Sequence, residues 1–415
     1  MASIAPPSRS VSSDRSPSPA WYGTGMIASR VEALLREAPV VDGHNDLPWA
    51  LRVRVNTDFT ALDIEHDTAA LGLHTDLPRL RRGGVGAQFW SAFVPSTLPR
   101  HEAVTTTLEQ IDTIRRMVRR YPDALVLATS AEEMEAARTA GKVASLIGIE
   151  GGHSIGCSLG TLRMMYAIGV RYMTLTHFRN NEWADSATDE PGVGGLSDFG
   201  REVVRECNRL GVMADLSHVA DSTMHAALDV STAPAFFSHS SARALCGHER
   251  NVPDDVLLRV RDSAGIVMVA FVPGFLTEEC RVWLDGLLAE MKSLAARHSE
   301  ESPEFRAAEE TWLRDNPRPP CTVSDAADHV EHIRDVAGVD HVGLGGDYDG
   351  VIALPDGLEG VDGYPRLIEE LATRGWSDTD LAKLTWRNAV RVLRDTEEAA
   401  RAAQHERGPS LARFV

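Results

Sequence analysis

Eight short runs of apolar and β-branched residues recur along the chain, and longer amphipathic segments separate most of them. The runs are PVVDGHND (39–46), VGAQFWSAFV (85–94), VASLIGIEGG (143–152), VRYMTLTHF (170–178), VMADLSH (212–218), APAFFSHS (233–240), GIVMVAF (265–271) and HVGLGGDYDG (341–350). Near-continuous apolarity over a strand's length suits strands buried on both faces, as in a parallel sheet. The intervening segments carry helix grammar. SDFGREVVRECNRLG (197–211) opens on an Asp-containing cap and closes at Gly211. PDDVLLRVRDSA (253–264) opens on Pro and acids, and TVSDAADHVEHIRDVAG (322–338) closes at Gly338. Eight strands alternating with helices predict an α/β fold, a closed (β/α)₈ TIM barrel. No G-x-G-x-x-G fingerprint follows the first run, which argues against an open dinucleotide-binding sheet.

The stretch from Pro273 to Cys321 is too long for a simple loop, and RVWLDGLLAEMKSLAARH (281–298) has a helical pattern. It reads as an insertion between strands 7 and 8, on or beside the active-site face. The tail from Ser377 to about Gln404 predicts a helix packed outside the barrel. Residues 1–25 read as a disordered Ser/Pro-rich leader without the apolar core of a secretory signal. Residues 26–415 then form one domain. A formal net charge of -18 argues against a nucleic-acid partner, since neutralising phosphates needs clustered Lys and Arg. No run is apolar enough to span a bilayer, and the charged C-terminus does not resemble a lipid-anchor signal, so no membrane anchor is expected. The 5 cysteines show no C-x-x-C spacing and are odd in number, which favours reduced thiols and a cytoplasmic protein.

The informative polar residues stand at the ends of the apolar runs. Strand one ends in Asp42-Gly43-His44-Asn45-Asp46, strand three in Glu150, strand four in His177, strand five in His218, strand six in His239 and strand eight in Asp347. Catalytic groups of such a barrel come from the C-terminal ends of several strands. His44 and Asp46 are two apart in extended chain, so they share a side and suit a cation such as Zn²⁺. Taken alone, that pair is more often a loop or an ion pair, and a lone strand-end His is more often structural. Together His44, Asp46, Glu150, His218 and His239 suffice for two metals sharing one carboxylate, with a water between them that ionises near neutral pH. On the residues alone His177 is either a sixth ligand or a free imidazole. Asp347 suits proton transfer, with Asp349 as its competitor. On the residues alone Arg250 is either a holder of a carboxylate, bidentately, or, more often for an isolated Arg, a surface residue or helix-side ion pair. His66, His74, His101, His225, His248, His298, His329, His332, His341 and His405 lie off the strand ends or on helices and read as surface residues.

Longer motifs add a resemblance. VVDGHNDLPW (40–49), IGIEGGHSIG (147–156), RYMTLTHFRNNEWADS (171–186), GVMADLSHVAD (211–221), FFSHSSARALCGHERNVPDDVL (236–257), HVGLGGDYDGV (341–351) and LEGVDGYPRLIEEL (358–371) resemble the membrane dipeptidase (renal dipeptidase) family of zinc metallopeptidases. The resemblance runs from about Val40 to about Leu393. It implies a barrel of amidohydrolase type and two Zn²⁺ per chain. His44, Asp46 and a bridging Glu150 would hold one, and Glu150, His218 and His239 the other, with a hydroxide between them. It further implies that His177 contacts the substrate carbonyl oxygen, Arg250 binds the terminal carboxylate and Asp347 moves the proton. The expected substrates are dipeptides with a free C-terminal carboxylate, a D-residue being tolerated there, and a homodimer is compatible with the sequence. Two departures stand out. Position 179, near a half-cystine of relatives on the animal cell surface, is Arg. Arg387 replaces a common Gly before Asn388 in TWRNAVRVL. Two other classes compete: a lactonase-, deaminase-, amidase-like or phosphoester metal hydrolase on the same barrel, and a non-catalytic binding protein.

Overall fold

The computed structural model describes residues 20–299 and 302–414. The leader expected over 1–25 lies outside the described residues as far as residue 19, and residues 20–25 belong to the helix Ala20–Glu37. Eight strands form the barrel: β1 (Val40–Asn45), β2 (Val85–Phe93), β3 (Val143–Glu150), β4 (Val170–Thr174), β5 (Met213–Asp215), β6 (Phe236–Phe237), β7 (Ile266–Val269) and β8 (Val342–Leu344). Each pairs in parallel with the next, and β8 closes onto β1 through Leu344 and Asp42. The closed (β/α)₈ barrel is therefore the fold, and each strand falls within one of the eight apolar runs. A short strand that the sequence does not announce, Leu125–Leu127, pairs with the start of β3 at Val143–Ser145, while β4 pairs from Ile147 onwards. Three residues are too few to leave a periodic signature.

Burial explains the apolar runs. All eight residues of β3 are buried, including the final Glu150. Phe89, Tyr172 and Phe236, from the alternate strands β2, β4 and β6, meet inside the barrel with ring centroids 5.4–6.0 Å apart. Such a layer from alternate strands makes the barrel a packed core rather than a pore. Truncating Phe236 to Ala would cost about 3–5 kcal/mol.

The insertion between β7 and β8 is helical. Helix Glu278–Ala295 is capped by Thr277, whose side chain accepts the Cys280 N–H, and Pro303–Asp315 is capped by Ser302. Trp283 and Trp312 pack the two together, with centroids 6.1 Å apart. At the other end of the chain, a π-turn over Lys383–Arg387 leads into helix Asn388–Glu406, which packs on the helix Asp198–Leu210. Asn388 anchors it by donating to the carbonyls of Val339 (2.7 Å) and Val342 (2.9 Å), while Arg387 is exposed. Among the described residues no helix is long and apolar enough to cross a membrane.

Candidate active site

The site begins where β1 leaves the barrel. The buried Asp42 carboxylate accepts the N–H groups of His44 (3.1 Å) and Gly346 (3.0 Å), tying the end of β1 to the turn after β8. Gly43 lies against the Ser238 carbonyl and Met268, so any side chain there would collide with the end of β6. His44 is oriented from inside the barrel: its Nδ1 is 2.8 Å from the Tyr172 hydroxyl. Tyr172 reaches it only because position 148 is Gly, where a Cβ would overlap the Tyr172 ring. His44 Nε2 is thereby aimed at the rim.

Six of the strand-end residues gather there around Glu150, whose two oxygens face different partners. Oε2 lies 3.4 Å from His44 Nε2, which is itself 3.1 Å from Asp46 Oδ2. Oε1 lies 3.2 Å from His218 Nε2 and 3.6 Å from the Nε2 atoms of His239 and His177. His218 and His239 bring their Nε2 atoms within 3.0 Å of each other. Two compact donor groups result, His44–Asp46–Glu150 and Glu150–His218–His239, and a third sets Asp347 with His44 and His239. His239 is fixed from behind: its Nδ1 is 2.7 Å from Ser238 Oγ, which donates to the Asp215 carboxylate at 2.7 Å. Sequence reasoning missed Tyr172, Ser238 and Asp215, because a hydroxyl at mid-strand or beside a His gives no signal until the partner is in place.

The electrostatics fit a cation. Burial holds His218, His239 and His177 well below the ordinary imidazole range, so their ring nitrogens are free to donate lone pairs. Burial also lowers His44, but Tyr172, Glu150 and Asp46 outweigh it and raise this imidazole. Burial raises Glu150, with His44 opposing. Asp347 is pushed up to about 8 by burial, with Asp46 and Glu150 adding and His44 and Arg250 opposing. Asp46 Oδ1 is buried without a hydrogen-bond partner. The carboxylates of Asp46 and Glu150 and the imidazoles of His44, His218 and His239, buried together at one rim, are the donor set of a borderline divalent metal. Residues that can hold a metal are therefore present.

Asp347 and Asp349 separate clearly. Asp349 is held by His74: its Oδ1 accepts the His74 N–H at 2.8 Å and its own N–H donates to His74 Nδ1 at 2.9 Å, while its Oδ2 is buried without a partner and the residue lines the same cavity wall as Asp347. Asp347, at φ 60°, faces the donor cluster. Arg250 is 1% exposed. Nη1 donates to Ser240 Oγ (3.3 Å) and Nη2 to the His239 carbonyl (3.1 Å), while Nε has no partner. Among the described residues no carboxylate pairs with it. His248 and His329 are buried, which corrects their reading as surface residues. His248 Nδ1 accepts the Arg250 N–H at 3.1 Å. His329 bridges the Ala242 N–H (2.9 Å) and the Leu276 carbonyl (2.9 Å), fixing the loop that carries Arg250.

The family model for membrane dipeptidase, peptidase family M19, matches residues 28–407. The chain belongs to the membrane dipeptidase family. It is 42% identical to dipeptidase 3 of Macaca fascicularis over 393 residues, covering 94% of this chain and 71% of that protein. The solved probable dipeptidase PvdM from Pseudomonas aeruginosa is similar at 26% identity and a TM-score of 0.78, over 91% of this chain and 100% of that one. A metallo peptidase from Rhodobacter sphaeroides, liganded with a phosphinate mimic of the dipeptide L-Ala-D-Ala, is similar at 25% identity and a TM-score of 0.71, over 86% and 99%. This member of the membrane dipeptidase family is a hydrolase, a metallo-dipeptidase acting on dipeptides.

Proposed function

We propose that this enzyme hydrolyses dipeptides with a free C-terminal carboxylate, tolerates a D-residue at that position, and works with two zinc ions. The observation that carries the reading is Arg250: a guanidinium with no carboxylate partner among the described residues, buried beside the metal-ligand cluster. Burying such a charge unpaired is unfavourable, and a substrate carboxylate completes it bidentately.

His44, Asp46 and one oxygen of Glu150 would hold one zinc; the other oxygen, His218 and His239 would hold the second. Bound there, the ions would supply Lewis acidity and a shared water acidic enough to attack as hydroxide near neutral pH. Arg250 fixes the terminal carboxylate and thereby sets the scissile carbonyl one residue away, over the cluster. His177 Nε2, held beside Glu150, hydrogen-bonds the carbonyl oxygen as negative charge grows on it. The Asp347 carboxylate takes the proton of the attacking water and delivers it to the leaving amine nitrogen. Tolerance of a D-residue is supported by the phosphinate mimic bound to the Rhodobacter sphaeroides relative. A cytoplasmic setting is supported by the five cysteines, all thiols in this fold.

The test is turnover of paired free-acid and C-terminally amidated dipeptides by zinc-loaded enzyme. Amides should be poor substrates. Arg250→Met should lower kcat/KM on free acids roughly 30- to 5,000-fold, the equivalent of about 2–5 kcal/mol for breaking a buried charge pair. Metal content should stay intact, and the residual activity on amides should change far less. Equal turnover of acids and amides by the wild type would overturn the carboxylate clamp and favour a lactonase- or amidase-like activity.

A further inference from the structure

Two cavities meet at the barrel mouth. The inner one, about 180 Å³, is walled by the metal-ligand cluster together with Trp49 and Phe93. The outer one, about 500 Å³, shares Phe178, His218, Asp347 and Gly350 with it, and Arg250 lies in its wall. Beyond Arg250 one wall is mainly apolar: Phe275, then Trp283, Leu284 and Leu288 from the insertion helix, and Ile352 from the loop after β8. Three side chains of this cavity are large, apolar and exposed, namely Phe178 (55%), Leu288 (51%) and Ile352 (64%). Apolar side chains held in water around one cavity mark a surface that a ligand covers. The charged groups in this wall besides Arg250 and Asp347 are the acids Glu249 and Asp285, with His248 beside them. They disfavour an anionic side chain.

We infer that the outer cavity receives the side chain of the substrate's C-terminal residue and selects a large apolar one, of Leu or Phe size, while the inner cavity keeps the N-terminal residue small. The inference rests on the dipeptide reading above. A carboxylate on Arg250 pins the Cα next to it at the boundary of the two cavities. The scissile amide must turn inward to the cluster, so the two remaining substituents on that Cα, side chain and hydrogen, face away from it, and the apolar wall of Trp283, Leu284, Leu288 and Ile352 is there to take the side chain. The N-terminal residue shares the inner 180 Å³ with the scissile bond. The insertion helix Glu278–Ala295 is thus a specificity element rather than decoration.

The experiment is a kcat/KM series on zinc-loaded enzyme with Ala-Gly, Ala-Ala, Ala-Leu and Ala-Phe, and with the reversed Leu-Ala and Phe-Ala. Ala-Leu and Ala-Phe should exceed Ala-Gly by about 10-fold or more, the usual scale for filling an apolar pocket. The gain should fall mainly in KM, as expected for binding shared by ground and transition states. Phe-Ala should trail Ala-Phe by a similar factor. Leu288→Asp and Ile352→Asp, at exposed positions that the fold tolerates, should shrink the Ala-Phe to Ala-Gly ratio towards one, and Leu288→Met should restore it. A flat series with robust turnover, a preference for Phe-Ala, or a ratio untouched by both Asp variants would overturn the pocket assignment and leave the dipeptidase reading standing. Failure to cleave any free-acid dipeptide would overturn both.

Discussion

At the N-terminal end of the barrel, where Val85 and Val143 begin their strands, a cavity of about 570 Å³ lies under the helix Ala20–Glu37. At the other end, the cavity over Glu150 measures about 180 Å³. The larger one looks more like a binding site by size and by its basic lining, yet most of its buried or half-buried charges are already answered, Arg81 being exposed to solvent. Arg82 pairs with Asp362 at 3.1 Å, and Arg138 with Glu135 at 2.9 Å and the Glu37 carbonyl at 3.1 Å. Lys142 donates to the Pro122 carbonyl at 2.7 Å. At the catalytic end Asp46 Oδ1, His218 Nδ1 and Arg250 Nε are buried without partners, and one carboxylate is faced by four imidazoles. A void between helices is an ordinary product of imperfect packing. Uncompensated buried polarity is not, because each such group loses its water without replacement. Polarity left unanswered, rather than volume, separates the two ends.

The comparison breaks most sharply at Asp347. Asp347→Ala should reduce kcat by about 10²–10⁴-fold, the range for losing a proton-transfer group, with metal content unchanged by elemental analysis. Loss of metal along with activity would make Asp347 a ligand instead, as its place beside His44 and His239 allows. Next in size is the support behind the cluster. Tyr172→Phe removes the hydroxyl at His44 Nδ1 and should weaken metal affinity about 10–100-fold, measured by competition with a chelator. Unchanged affinity would reduce Tyr172 to a filler of the barrel interior.

Away from both cavities, answered charges should report on stability alone. Burial raises Glu202, but hydrogen bonds from Arg407, Ser410 and Arg205 outweigh it and hold the carboxyl at about 2. Because the folded value lies below that of an unfolded Glu, this pairing stabilises fully above the ordinary carboxylate range and is lost as the pH falls towards 2. Glu202 is half-buried but its Arg partners are a third or more exposed, so screening should hold the contribution to about 1 kcal/mol or less. Urea midpoints of the wild type should therefore drop more between pH 6 and pH 3 than those of Glu202→Gln, and parallel drops would remove the role. The smallest effect belongs to the lower cavity. Arg81→Ala should leave kcat/KM within about 2-fold and stability within about 0.5 kcal/mol, as for an ordinary surface change. A tenfold loss of activity would show that the lower cavity is coupled to the site.

Much of this molecule is legible in one dimension. The eight apolar runs are so because a strand buried on both faces has no polar side, and their polar last residues converge because a closed parallel barrel brings every C-terminal end to one rim. That is why His44, Asp46, Glu150, His218 and His239, scattered over 196 positions from the first to the last, can be grouped before any fold is seen. Strand Leu125–Leu127 escapes because three residues carry no period.

The choice between Asp347 and Asp349 was open in the sequence, since both sit in the same glycine-rich turn. The structure separates them: His74, from a loop 275 residues away, takes Asp349 and leaves Asp347 to the cluster. His329 looked like a surface residue for the same reason, its partners lying on other elements, and His248 because the ring that covers it, Phe275, comes from a later segment. Sequence alone determined which segments are buried and which residue types end them, because burial and periodicity are local properties of the chain. Tertiary structure alone decided which oxygen of Glu150 faces which imidazole, that Arg250 is left without a carboxylate, and that the insertion helix lines the mouth. Those depend on side-chain direction and on contacts between distant segments, and free energy there is set by whether each buried polar group meets a partner.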